Sequence, residues 1–205
     1  MALTQKTILP LKYGYFSIAY HKSEEGACVS ISHGDLTRGL PVVRLHSSCL
    51  FGESFHGLDC DCAAQLSSTL KLIVKNGSGT VVYSYAEGRG IGLERKIQAL
   101  ELQRTRGLNT VEAFAELGFP PDLRTYEKEV MALKELGVAK KIKVASQNPS
   151  KLSVLKKAGF TVVMQLHPEV QLNVHNVKEL LTKKTVLGYN IQQDLGDASL
   201  TVSSV

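Results

Sequence analysis

Residues 140–163, KKIKVASQNPSKLSVLKKAGFTVV, restrict the fold more than any other stretch of the sequence. They read as strand, polar turn, helix, glycine stop and strand, a βαβ-type unit. Such a unit needs a sheet with helices against it, so all-α and all-β architectures are set aside. The rest of the chain extends this pattern. ACVSIS (27–32) and PVVRLH (41–46) read as strands with HGDLTRGL as the turn between them, and GTVVYSYA is a further strand. From Ala63, apolar residues at Leu66, Leu70 and Ile73 mark a helix that stops near Asn76-Gly77. Further helices are expected from about Leu93 to Arg106, over TVEAFAELGF with a stop at Gly118, and over YEKEVMALKELGV with Gly137 as its cap. The fold class is mixed α/β: one compact domain, a mixed sheet with surrounding helices. It is expected to span residues 1–187, with a polar, frayed tail over 188–205.

At 43% hydrophobic and 21% charged residues, a core can form without disulfides. No run reaches membrane-span length, and MALTQKTILPLKYG lacks a secretory apolar segment. The expected location is therefore the cytoplasm, with no membrane partner. The formal charge of +5 suits a phosphorylated small molecule. With no Lys/Arg block, no tryptophan and 6% aromatics, nucleic acid is not an expected partner.

Three of the four cysteines, Cys49, Cys60 and Cys62, follow the pattern C-x10-C-x-C. In a reducing compartment clustered thiols point to metal or reactivity more than to disulfides. Three thiolates can hold zinc and leave its fourth position open, as catalytic sites require. Two other readings stay open: inert buried thiols, which is also the expectation for Cys28, or a closed site completed by His46 or His56. A zinc deaminase would need H-x-E with P-C-x-x-C, and neither pattern occurs.

EGRGIGLERK (87–96) joins a strand to a helix, and Gly88 and its neighbours let backbone approach a ligand. Arg89 can fork onto a phosphate or carbonyl, and Glu87 can accept from a base or amine. A ligand-free tight turn would look the same. In GFPPDLRTY, two prolines stiffen a loop presenting Asp122 and Arg124, which also reads as a polar loop before a helix. ASQNPSK places Ser146, Asn148 and Lys151 at a strand-to-helix turn suited to phosphate or to solvent.

In their order, RLHSSC…LDCDCAAQL, EGRGIGL, NTVEAFAELGF, DLR and NPSK resemble the blocks of the GTP cyclohydrolase II family, which performs the first step of riboflavin synthesis. The resemblance runs from about Val42 to Lys183. It implies a zinc-dependent enzyme that opens the purine ring of GTP at C8, releases formate in a second hydrolysis and releases pyrophosphate. Cys49, Cys60 and Cys62 would hold one zinc per subunit. Arg124 would be the nucleophile at the α-phosphate, with Asp122 as its proton acceptor. Because arginine is hardly ever deprotonated, electrostatic stabilisation by Arg124 stands beside that role. Arg44, His46, Ser48, Gln65, Glu87, Gly88, Arg89, Thr110, Ser146 and Lys151 match nucleotide-binding positions. Mg2+ on the triphosphate and a homodimer are further implications.

Several positions depart from the family pattern. Ser48 stands where Glu is usual before the first cysteine, Ala86 where Gln precedes E-G-R, and Phe114 where V-E-A-N has its amide. Ser146 replaces a threonine, and Asp59 stands where a basic residue is common. Leu100 stands where the family has an active-site tyrosine. A site built to hydrogen-bond a group discriminates strongly, so such losses can redirect or shorten the reaction. Three alternatives follow: opening GTP only to the formamidopyrimidine, opening a different nucleotide, including a pyrimidine one, or a non-catalytic nucleotide-binding regulator.

Overall fold

A computed structural model describes residues 3–168 and 172–195. Its architecture is mixed α/β, as the alternation of strand and helix signals requires. Seven strands form one sheet: β1 (Leu3–Leu11), β2 (Gly14–Ser23), β3 (Gly26–His33), β4 (Val42–Ser47), β5 (Gly79–Ser84), β6 (Lys141–Ala145) and β7 (Thr161–Leu166), in the order β1-β2-β3-β5-β4-β6-β7. β1, β2, β3 and β5 pair antiparallel, whereas β5, β4, β6 and β7 pair parallel. The turn after β3 makes no hairpin with β4, because β5 lies between them. Residues 3–23, for which the sequence reading has no element, form the β1–β2 hairpin. Pro10 is accommodated there because β1 is an edge strand.

The chain forms two compact units. The first, residues 1–48, 65–85 and 125–169, contains the whole sheet. β4 and β5 are buried on both faces, as parallel strands between helical layers must be. Val43, Leu45 and Val82 point to one side and meet Val130 and Leu133 of α5 (Glu127–Glu135) and Leu155 of α6 (Pro149–Lys157). Val42 and Val81 point to the other and meet Leu70 and Ile73 of α2 (Cys62–Asn76). The alternation along each strand thus divides the core into two layers. The βαβ-type unit is β6-α6-β7, with Asn148 capping Ser150 N–H and Pro149 at the first helical turn.

The second unit, residues 49–64, 86–124 and 170–205, is helical where described: α1 (Leu50–Ser54), α3 (Gly92–Arg106), α4 (Thr110–Glu116) and α7 (Val177–Thr185). Gly107 closes α3 in the left-handed conformation. Asn109 and Glu112 form a capping box that starts α4. The expected fraying beyond residue 187 does not hold for 188–195, where Ile191 and Leu195 are buried against Leu180. Residues 196–205 of that tail lie outside the described residues. No helix among the described residues is long and apolar enough to cross a membrane.

Candidate active site

Each of three parallel strands leads directly into one of the sequence motifs. β4 ends at Ser47, two residues before Cys49; β5 ends at Ser84, three before Glu87; β6 ends at Ala145, beside Ser146.

In the helical unit, Cys49 is the N-cap of α1 and Cys62 opens α2. The sulfurs of Cys49, Cys60 and Cys62 all lie within 4.8 Å of one another. Cys49 and Cys60 are 3.7 Å apart. Tetrahedral zinc with ~2.3 Å bonds needs sulfurs about 3.8 Å apart, so the donor set fits that ion. Gly52 makes the gathering possible. A Cβ there would stand 2.7 Å from Cys60 Sγ and 3.3 Å from Cys49 Sγ. Among the described residues neither His46 nor His56 joins the three sulfurs as a metal ligand. The cluster that could hold a metal ion thus consists, among the described residues, of the three thiols.

Hydrogen bonds from the Cys60 and Cys62 thiols, with Lys96 nearby, hold Cys49 well below the usual thiol range. The bond to Cys49 raises Cys60 to about 12, and bonds to both partners push Cys62 up. One negative charge therefore forms readily on the trio, and a metal must displace the remaining protons. Cys28, by contrast, is a core thiol raised to about 12 by burial.

Sequence reasoning passed over Lys96. Its ammonium lies 3.2 Å from Cys49 Sγ and 2.6 Å from Glu87 Oε1. Burial disfavours that charge, but the bonds to Glu87 and Cys49 outweigh it and raise the lysine above its ordinary value. Glu87 Oε2 accepts the Leu50 N–H at 2.9 Å. Both Glu87 oxygens therefore brace the cysteine-bearing turn. The E-G-R-G segment is a 3₁₀ turn in which Gly88 and Arg89 are left-handed. Arg89 O accepts the Leu123 N–H at 3.0 Å, and a Cβ at Gly90 would approach Leu123 Cβ to 3.1 Å. This close approach seats the DLR loop. There Arg124 grips Asp122 through Nε to Oδ1 at 2.8 Å and Nη2 to Oδ2 at 2.6 Å. Burial works against the Asp122 charge, yet the Arg124 bonds hold its carboxyl below the usual range. Tyr189 lies beside this pair, its hydroxyl 3.4 Å from Arg124 Nη2.

Further charges come from α7, which no motif announced. Lys183 Nζ lies 2.6 Å from Asp61, between the paired cysteines, and 3.6 Å from Glu179. Glu179 in turn holds Arg89 at 2.7 Å and Thr110 at 2.5 Å. Of the departing positions, Phe114 is buried with Ala99 and Ala113, and Leu100 is half-buried.

In the sheet unit the matched residues are bound into the fold. Arg44 is buried and donates to His46 Nδ1, Ala145 O and Gln65 Oε1 at 2.9, 2.9 and 2.5 Å. His46 stacks on Tyr83. Ser48 N–H donates to Ser84 O, Ser146 Oγ accepts the Asn148 N–H, and Lys151 Nζ donates to Leu45 O at 2.7 Å.

The sequence model of GTP cyclohydrolase II matches residues 3–167. The chain belongs to that family. GTP cyclohydrolase-2 of Shewanella sp. (strain MR-4) is 39% identical over 188 residues, 90% of this chain and 92% of that protein. GTP cyclohydrolase-2 of Archaeoglobus fulgidus is 42% identical over 185 residues, 89% of this chain and 48% of the relative. The riboflavin biosynthesis protein RibBA of Aquifex aeolicus is 42% identical over 185 residues, 88% of this chain and 45% of its own length. A solved two-domain 3,4-dihydroxy-2-butanone 4-phosphate synthase from A. baumannii covers 82% of this chain and 39% of its own, with TM-score 0.42 and 14% identity. As a GTP cyclohydrolase II family member the chain is a hydrolase, against the non-catalytic alternative.

Proposed function

We propose that this family member hydrolyses GTP in a zinc-dependent reaction, opening the imidazole ring and releasing formate and pyrophosphate to give a diaminopyrimidine ribosyl phosphate, the entry reaction of riboflavin synthesis. The observation that carries the reading is the three-cysteine cluster, whose spacing fits zinc and which no fourth protein ligand joins among the described residues. Bound zinc would supply a Lewis-acidic position at which water loses its proton near neutral pH.

The chain's own groups have separable tasks. Glu87 ties the Leu50 N–H to Lys96, and Lys96 donates to Cys49, so the thiolate nearest the strand end is held in place. Asp122 and Arg124 form a two-bond ion pair, which favours charged forms of both groups. A carboxylate held below its usual range is a poor base for stripping a guanidinium. This pairing supports Arg124 as an electrostatic clamp on the phosphoryl group rather than as its nucleophile. Mg2+ on the triphosphate, a homodimer readable by sizing, and action in the cytoplasm belong to the same reading.

A second reading is favoured by Phe114 and Leu100, apolar side chains where the family resemblance leads one to expect an amide and a tyrosine hydroxyl. On it, the same chemistry stops at the formamidopyrimidine or acts on another nucleotide. The deciding experiment incubates zinc-loaded protein with each common nucleoside triphosphate and monophosphate, with products read by mass spectrometry and formate assay. Formate and pyrophosphate from GTP support the first reading. An intact N-formyl product, or turnover of a different nucleotide with GTP untouched, replaces it with the second. Cys60→Ser is expected to lose both zinc and turnover, and retention of both would sink the metal assignment.

A further inference from the structure

Helix α7 carries a carboxylate that none of the sequence motifs includes. Glu179 Oε1 accepts from Arg89 Nη2 at 2.7 Å, and Glu179 Oε2 accepts the Thr110 hydroxyl at 2.5 Å. The Arg89 and Glu179 side chains are only 10% and 18% exposed. The other arm of the guanidinium differs. Arg89 Nη1 is buried with no hydrogen-bond partner among the described residues. Buried donors in native proteins nearly always find an acceptor, and a charged one left open is especially unfavourable. Arg89 is also held by its surroundings. Its backbone is left-handed at φ 54, uncommon for a residue with a side chain, and its guanidinium carbon lies 5.8 Å from the centroid of the Phe114 ring. Thr110 is constrained in the same way. Its single proton goes to Glu179 at 2.5 Å rather than to Gln103 at 3.3 Å, so its lone pairs remain to accept.

We propose that Glu179 is a positioning residue of the nucleotide site: by holding Arg89 Nη2 and the Thr110 proton, it leaves Arg89 Nη1 as one oriented donor for a substrate oxygen and makes Thr110 an acceptor. The inference rests on the nucleotide-hydrolase reading above. Without Glu179 the guanidinium could fork onto two oxygens of one phosphate. With it, the site reads a single acceptor, a carbonyl or one phosphate oxygen.

The test compares zinc-loaded wild type with Glu179→Gln, Glu179→Asp, Arg89→Ala and the double variant Arg89→Ala/Glu179→Gln. Steady-state kinetics use GTP. Phenylglyoxal modification of Arg89 is mapped in parallel by mass spectrometry, with no substrate present. Glu179→Gln is expected to raise KM for GTP about tenfold while kcat stays within about threefold, because a charge-assisted bond that orients a donor is lost. Glu179→Asp should recover part of the KM effect. The double variant should be no worse than Arg89→Ala alone. Arg89 should react several-fold faster with phenylglyoxal in Glu179→Gln than in wild type. Unchanged Arg89 reactivity overturns the positioning role whatever KM does, and additive effects in the double variant do the same. Should Glu179→Gln fail to fold, Thr110→Val removes one of the two arms, and an unchanged KM there overturns the Thr110 half of the proposal. If wild type leaves GTP intact, the functional reading fails alone, and Arg89 reactivity still decides the inference.

Discussion

In the sheet unit, Val43, Leu45, Val82, Ile142 and Val144 are buried with Leu133 and Leu155 in one continuous apolar cluster, and a second cluster fills the opposite face. In the helical unit the apolar clusters are small. One centres on Ala99, Ala113 and Phe114 and another on Leu180, Ile191 and Leu195. Charge ties it across the sequence as well, Asp61 to Lys183 and Arg89 to Glu179, with the local pairs Lys183–Glu179 and Glu87–Lys96 beside them. Apolar burial is non-directional and tolerates small shifts, whereas a desolvated ion pair holds only at short range and in the right orientation. The unit with the cysteine cluster is therefore the one whose order depends on partners staying charged and in place.

The largest expected effect tests this directly. Lys183→Met removes the ammonium that stands 2.6 Å from Asp61, a carboxylate whose side chain is 1% exposed. A loss of about 3–5 kcal/mol is expected. Native-state hydrogen exchange should show it in α7 and α1 first, with β4 and β5 keeping their protection. Equal loosening of both units would break the contrast. Next, stripping zinc from loaded protein should cost about 4 kcal/mol when the metal had stood at a thousandfold its Kd. Thermal melts with and without chelator measure that cost, and exchange rates should again localise it to the helical unit.

Leu133→Ala addresses the other side of the comparison. Leu133 is fully buried, and truncation should cost about 3 kcal/mol in urea unfolding, with zinc content per chain unchanged. Loss of zinc in that variant would mean the units are not distinguishable by what holds them. Smaller still is Asp122. Its folded value is depressed, so its contribution is present above the unfolded value near pH 4 and is lost as pH falls through the folded one. Asp122→Asn should therefore cost about 1 kcal/mol at pH 6, with the gap to wild type closing below about pH 4. The smallest effect is one of rate. In metal-free protein, iodoacetamide should label Cys49 first and Cys28 last, since the first is held as thiolate and the second is pushed up to about 12 by burial.

Much of the fold was readable because its signals are local. Gly107 and Gly137 stop helices where predicted because a left-handed residue terminates a helix within one turn. Leu66, Leu70 and Ile73 mark α2 because helical periodicity needs only neighbouring residues. The β1–β2 hairpin escaped because residues 6–10 of the edge strand β1 are exposed and carry little hydrophobic alternation. The cysteine trio was legible because three thiols at short spacing form a possible metal-ligand set that needs only neighbouring residues. The Asp122–Arg124 pair was legible because the two residues stand two apart in a stiffened loop.

The βαβ unit, the cluster of thiols and the DLR loop are each legible within about two dozen consecutive residues. Only the tertiary structure decided that β5 lies between β3 and β4, that both oxygens of Glu87 are engaged by the protein, and that Lys183 and Glu179 hold Asp61 and Arg89. Those last partners are 122 and 90 residues apart. No periodicity or cap encodes such a pairing. A charged side chain has the same local signature whether it ends in water or in a buried bond, and only folding selects between them.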